Sequence, residues 1–168
     1  MKLVHTTQRV SIAPILQEGL RCSKETGVKT FSCYNGNYIY FEAIPNSYPM
    51  ESLWPYGNYH FILDNNWLDA HTNQFKVHSV GPLKEDEVRM KEFRLFLKNY
   101  GIKTLGKSCA CTPATQFQIV SLQSIPIEAL EKLVIECKPT DPLANKIKSI
   151  LPTHIDLSVV EPRQLYII

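Results

Sequence analysis

The pattern of apolar and polar positions divides the chain into short strands that alternate with helices. The strand segments are apolar or alternating runs, rich in aromatic and β-branched residues, a composition typical of strands. The predicted strands cover residues 2–5, 29–33, 37–43, 59–64, 75–80, 114–121, 134–137 and 155–160. Asn35-Gly36 between the second and third of these runs predicts a hairpin turn.

Apolar residues at helical spacing predict helices in four other segments. A first helix begins after Ser11 as N-cap and ends at Gly19, because glycine readily adopts the backbone conformation of a helix C-terminus. The pattern predicts a long helix over residues 84–100, followed by Gly101, and shorter helices over 125–133 and 141–151. The apolar face of the long helix is formed by Val88, Phe93, Leu95, Phe96 and Leu97.

Strands and helices are interleaved without a regular strand–helix–strand repeat. No glycine-rich fingerprint follows a strand, so the sequence disfavours a dinucleotide-binding or P-loop domain of the parallel α/β type. We therefore expect residues 1–168 to form a single α+β domain with mixed or antiparallel sheets.

Composition narrows the class of protein further. The formal net charge is +2, and no long basic run indicates a protein that wraps nucleic acid. The sequence predicts neither a signal peptide nor a transmembrane segment, and thus a cytoplasmic protein with no membrane partner. The five cysteines are then expected to be reduced thiols, and their spacing predicts no metal site.

Two strands carry residues that suit ligand binding. His5 ends the first strand and precedes Thr6 and Thr7; taken alone, the histidine caps the strand and the threonines begin a turn, but the order of strand, His5, Thr7, helix and Gly-Leu is more specific than any one residue. Tyr38 and Tyr40 form an aromatic run, which serves either a packed core or a platform for a flat cationic ring such as nicotinamide.

A third strand carries two amides. Gln116 and Gln118 are separated by one residue, so their side chains project from the same face of the strand. Glutamine is neutral and cannot act as a base, but it can hydrogen-bond a sugar hydroxyl. The alternative is a strand edge whose amides bond to neighbouring backbone groups.

The order of these segments resembles the ADP-ribosyltransferase superfamily. HTTQRVSIAPIL is similar to the opening strand and helix of the family, and YIYFEA is similar to the aromatic strand of poly-ADP-ribose polymerase-like members. QIVSLQSIP resembles the strand and Ile-Pro turn that carries the family's catalytic glutamate. Among the members, the opening segment and the C-terminal region resemble the DarT-like toxin transferases, which modify DNA.

The resemblance implies a fold and a set of roles. Two small sheets would form a cleft for NAD, the co-substrate. His5, Thr6 and Thr7 would contact the adenosine ribose and the amide of NAD. Tyr40, with Tyr38 or Tyr48, would stack on the nicotinamide. Gln118 would occupy the position of the catalytic glutamate, which bonds the nicotinamide ribose, with Gln116 as the second polar residue.

A glutamine at position 118 leaves three explanations open. A glutamate could have been replaced to silence a toxic mono-ADP-ribosyltransferase, since glutamine has nearly the same shape and no charge. The chain could instead be a non-catalytic module that binds NAD, a nucleotide or another protein through the same cleft. The third explanation is that the resemblance does not reflect membership of the family.

The resemblance also implies partners. The acceptor of ADP-ribose would be a macromolecule, with DNA or RNA favoured over protein, and an antitoxin protein would accompany the enzyme. A nucleic acid would need a basic rim. The residues available for that rim are Arg21, Lys24, Lys29, Lys103 and Lys107, which are otherwise ordinary solvated surface charges.

Overall fold

The computed structural model describes residues 1–7, 12–27, 37–46, 57–79, 87–105, 117–138 and 140–162. Its strands are β1 Lys2–Thr7, β2 Ile39–Ile44, β3 Tyr59–Leu63, β4 Phe75–Ser79, β5 Lys103–Thr104, β6 Gln118–Ser121, β7 Leu130–Glu136 and β8 Asp156–Val160. Its α-helices are α1 Ile12–Glu18, α2 Ser23–Thr26, α3 Asn65–Ala70, α4 Glu87–Tyr100 and α5 Pro142–Ile150. Two 3-10 turns cover Thr72–Gln74 and Ile127–Ala129.

The described strands form one mixed sheet in the order β5-β4-β6-β2-β1-β3-β7-β8. The pairs β4–β5 and β7–β8 are parallel, and the other neighbours are antiparallel. The expected α+β class with a mixed sheet is therefore confirmed. The expectation of two small sheets is not met, because β1 pairs on one side with β2 and on the other with β3.

Strand β1 pairs with β2 and with β3 along different parts of its length. The register of β1 with β2 covers only Lys2, Leu3 and Val4, whereas its register with β3 covers Val4 to Thr7. Beyond Val4 the described ladder therefore continues toward β3 and not toward β2. We call the region between the second half of β1 and the start of β2 the β1–β2 opening.

The two faces of the sheet bury different amounts of apolar surface. A large core contains Leu3, Phe41, Phe61 and Ile119 from the sheet, with side chains from α1, α3, α4 and α5 packed on them. On the other face, Val4, Ile44, Ile62 and Val134 form a second, smaller buried cluster. Burial of this apolar area is the main term that stabilises the fold.

The Gly-Leu that ends the first helix docks on the Ile-Pro turn that follows β6. Leu20 and Ile125 exchange backbone hydrogen bonds of 2.8 and 2.9 Å. Gly19 has φ +78°, and a Cβ at this position would lie 2.1 Å from the Ile125 carbonyl oxygen. Glycine is required there for both its conformation and its size.

The other predicted helix boundaries agree with the structure where it describes them. The Asp141 side chain caps α5 by accepting a hydrogen bond from the Leu143 amide, and Pro142 lies in the first turn. Gly101 has φ +65° at the end of α4, as expected for a helix C-terminus. Ser11 and the Asn35-Gly36 hairpin lie outside the described residues.

One prediction about local structure is wrong and a second is only partly correct. Residues 125–133, expected to be helical, form a 3-10 turn and the start of β7, because β7 pairs with both β3 and β8. On α4, the expected apolar face is only partly correct. Phe93 and Phe96 are buried, but Val88 and Leu95 are 62% and 57% exposed, since α4 contacts the core along one side only.

Two further findings concern cysteines and membranes. Cys22 and Cys137 are buried free thiols. In the described part of the chain, every helix is too short or too polar to cross a membrane.

Candidate functional site

His5 lies beside the β1–β2 opening and connects β1 to β2 through its side chain. Its Nδ1 donates a hydrogen bond of 2.9 Å to the backbone carbonyl of Tyr40, because a carbonyl can only accept. Its ring also meets the Phe41 ring edge-on, with centroids 5.9 Å apart. Burial lowers the pKa of His5, although the bond to Tyr40 opposes that shift. The ring is therefore neutral at pH 7 and leaves Nε2 as an acceptor.

The Tyr40 ring belongs to a cluster that includes a histidine not identified from the sequence. Tyr40 and His78 meet edge-on with centroids 5.1 Å apart, and Tyr38 lies 6.5 Å from Tyr40 in a similar arrangement. His78 comes from β4, where the register with β6 shifts between Val77 and Ser79. Such a bulge redirects side chains, and the alternating pattern of residues 75–80 gives no sign of it.

Gln118 also belongs to this cluster. Its side chain is 5% exposed, and its Oε1 accepts a hydrogen bond of 3.2 Å from His78 Nδ1. Burial lowers the pKa of His78, and the bond to Gln118 opposes the shift. At neutral pH this cluster therefore combines a neutral imidazole, a neutral amide and a phenol.

A charged pair lies next to Gln118. Glu42 on β2 is the register partner of Gln118 on β6. Its Oε1 accepts a hydrogen bond of 2.9 Å from Arg89 Nη2, which also donates to the Ala43 carbonyl at 2.9 Å. The Arg89 guanidinium lies over the Phe117 ring at 4.6 Å. The side chains of Arg89 and Glu42 are only 12% and 10% exposed.

A second hydrogen-bonded array lies on the other side of the opening. His60 Nε2 donates to Glu136 Oε1 at 2.8 Å, and His60 Nδ1 is hydrogen-bonded to the Thr6 hydroxyl at 2.9 Å. His60 is fully buried and Glu136 is 9% exposed. We call Thr6, His60 and Glu136 the β1–β3–β7 array. No pattern in the sequence indicated this array, because its members lie far apart along the chain.

Both groups of polar residues project from the same face of the sheet. Val4 pairs with Glu42, and Glu42 pairs with Gln118. Thr6 pairs with His60. Since paired residues share a face and alternate residues return to it, Thr6 and His60 share the face of Glu42 and Gln118. Tyr40, two residues before Glu42, shares it as well.

The structure brings some of the predicted site residues together and separates others. Tyr40 and Gln118 lie on the adjacent strands β2 and β6 and share one face, whereas His5 on β1 projects from the opposite face, where it contacts Phe41. Thr6 is hydrogen-bonded to His60 of β3, and Thr7 pairs with Tyr59 of the same strand. Gln116, Tyr48, Lys29 and Lys107 lie outside the described residues.

The predicted basic rim is only partly described. Arg21 forms an ion pair of 3.2 Å with Glu18, so part of its charge is compensated locally. Lys24 is exposed on α2. Lys103 is exposed on β5, where its register partner is Lys76 of β4. Lys76 and Lys103 thus place two positive charges side by side at the β5 edge of the sheet.

The chain matches no protein-family model, and no curated protein matches it significantly. Its function is therefore inferred from the geometry of the described residues, together with the resemblance of the three segments.

Proposed function

We propose that this protein is an NAD-dependent mono-ADP-ribosyltransferase of the toxin or defence type, which acts on a macromolecule. One observation carries the proposal. Tyr40 and Gln118 come from segments far apart in the sequence, yet they lie on the adjacent strands β2 and β6 and project from the same face of the sheet. His78 contacts both of them, and His5, which projects from the opposite face, holds the Tyr40 backbone carbonyl.

The two side chains on the shared face have properties that suit NAD. His5 lies on the opposite face against Phe41 and acts on this site only by holding the Tyr40 backbone carbonyl. The Tyr40 ring, with Tyr38 beside it, offers an aromatic face for the cationic nicotinamide. The Gln118 amide can bond a hydroxyl of the nicotinamide ribose.

The reaction breaks the bond between the nicotinamide nitrogen and C1 of the ribose, with the electron pair leaving on nicotinamide. The acceptor then attacks C1. Positive charge develops on the ribose, as it does in glycoside hydrolysis, and a nearby carboxylate stabilises that charge. Gln118 has no charge, so the chemistry at this position is expected to be slow.

A non-catalytic module that binds NAD or another nucleotide is the second candidate function. It is favoured by the neutral state of the groups nearest Tyr40. Gln118 is an amide, and burial lowers the pKa of both His5 and His78. Neutral donors and acceptors around an aromatic ring suit recognition without bond cleavage.

The acceptor and partners are extensions of the first proposal. A nucleic-acid acceptor would bind through positive charge, and Lys76 with Lys103 is the described pair of adjacent lysines best suited to phosphate. Arg21, between α1 and α2, is a weaker choice because it already pairs with Glu18, and Lys24 lies apart from the two lysines on α2. An antitoxin protein and a cytoplasmic location belong to the same proposal.

The experiment compares the chain with its Gln118→Glu variant. Calorimetry measures NAD binding, and labelled NAD measures transfer to a mixed pool of DNA, RNA and protein. Transfer by either form supports the transferase, and binding without transfer in both forms supports the binding module. Tyr40→Ala tests the aromatic contact, since it should weaken NAD binding, and its melting temperature shows whether the variant is folded. Absence of NAD binding to a folded chain would refute the transferase and a module that binds NAD.

A further inference from the structure

The proposed reaction needs negative charge close to the nicotinamide ribose, and Gln118 does not supply it. Neutral groups can hydrogen-bond the ribose but stabilise a developing cation weakly. A carboxylate elsewhere on the same face would satisfy the chemistry without a glutamate at position 118.

Glu42 is such a carboxylate. It stands directly opposite Gln118 in the β2–β6 ladder, and directly opposed residues have Cβ atoms about 4.5–5.5 Å apart. It also lies two residues after Tyr40 on the same strand, so both side chains leave the same face. A ribose attached to a nicotinamide at Tyr40 would therefore lie within reach of Glu42.

The surroundings of Glu42 favour the ionised form. A carboxylate with little exposure would be neutral unless a cation or hydrogen bonds stabilised its charge. Arg89 provides that cation at 2.9 Å, and the same Nη2 atom is bonded to the Ala43 carbonyl. The contact of the guanidinium with the Phe117 ring fixes Arg89 further. The carboxylate is thus charged and held in position before any ligand arrives.

We propose that Glu42 is the catalytic carboxylate of this site, and that it takes the role which a glutamate at position 118 would otherwise fill. This inference rests on the proposed transferase function. Glu42 accepts a hydrogen bond from a ribose hydroxyl and stabilises the positive charge that forms as nicotinamide leaves. The acceptor, or water, then bonds to C1 and loses its proton to solvent.

The test measures the release of nicotinamide from NAD by the chain as it stands. We expect slow release, and we expect Glu42→Gln to reduce it by about 100-fold, the typical loss when one electrostatic contact to a transition state is removed. The affinity for NAD should change by less than about threefold, because a contact made in the transition state affects catalysis more than binding. Glu131→Gln, which removes an exposed glutamate from β7, is the matched control and should have no effect.

A second variant separates catalysis from folding. Glu42→Ala leaves space for a small carboxylate, so added formate should restore part of the nicotinamide release if Glu42 acts chemically. A purely structural ion pair with Arg89 would lower the melting temperature without any rescue of the reaction by formate.

The possible results are distinct. Unchanged release in Glu42→Gln, or no rescue by formate, overturns the role of Glu42 and leaves the transferase in place. The same holds if only the Gln118→Glu variant releases nicotinamide. If the folded chain does not bind NAD, the proposed function fails and this inference fails with it.

Discussion

The two sides of the β1–β2 opening carry polar groups of different kinds on the same face of the sheet. On the β1–β3–β7 side, a carboxylate and a fully buried imidazole are joined at 2.8 Å. On the β2–β6–β4 side, Gln118 and His78 are joined by a longer contact of 3.2 Å next to aromatic rings. Buried charge is costly unless it is paired closely. We therefore interpret the Glu136–His60 pair as structural, and the Gln118–His78 side as the one that contacts a ligand.

The largest expected effect tests the structural side. Glu136→Ala removes the acceptor of the His60 Nε2–H in a buried position, and we expect a loss of about 3–5 kcal/mol in the free energy of unfolding. Urea unfolding measures it. Glu131→Ala on the exposed side of β7 is the control, with a change within about 0.5 kcal/mol. A small loss of unfolding free energy in Glu136→Ala would contradict a structural role for the β1–β3–β7 array.

Gln118→Glu places a carboxylate beside His78. The new pair would then resemble the Glu136–His60 pair of the β1–β3–β7 array. The new negative charge should raise the pKa of His78, reversing the direction that burial produces in the parent chain. The buried carboxylate should cost about 1–2 kcal/mol at pH 8, and less at pH 6, because each pKa unit corresponds to about 1.4 kcal/mol. NMR titration of His78 and urea unfolding at both pH values are the measurements. An unchanged pKa of His78 would contradict the contact with residue 118.

Thr6→Val tests whether the β1–β3–β7 array only stabilises the fold or also contacts the ligand. The substitution keeps the shape of the side chain and removes the hydroxyl that is bonded to His60, so we expect a loss of about 1 kcal/mol in unfolding free energy. Thr6→Ser retains the hydroxyl and should retain most of that stability. If Thr6→Val weakens NAD binding far more than folding, the β1–β3–β7 array also serves the ligand.

The smallest effect is the response of the parent chain to acid. Burial lowers the pKa of His5 and of His78 in the folded state, so between the folded and unfolded pKa values the unfolded chain binds more protons. These two residues therefore contribute stability that is complete above the ordinary pKa of histidine and decreases as pH falls below it. Unfolding midpoints from pH 8 to pH 5 measure this, and His78→Gln should reduce the dependence. A midpoint that rises on acidification would contradict the direction of these shifts.

Local pattern was sufficient for most of the strands and failed where pairing decided the structure. The alternating run around Tyr40 and the aromatic run of β3 were predicted correctly, because their composition already favours strands. The segment from Leu130 to Leu133 has apolar spacing compatible with a helix, yet it is extended because β3 and β8 bond to it on both sides. Val88 and Leu95 of α4 were predicted to be buried, but they are exposed. Apolar spacing along a helix does not show which side of the helix packs against the core.

The sequence by itself determined the residue types of the site and their order: His5, then Tyr40, then Gln118, each on a strand. It also determined the absence of charge at position 118. Only the tertiary structure decided which residues surround them, because β-sheet neighbours are set by pairing between distant segments. That pairing placed Glu42 opposite Gln118 and His78 between Gln118 and Tyr40. The carboxylate that we propose for the reaction is therefore visible only after the strands are assembled.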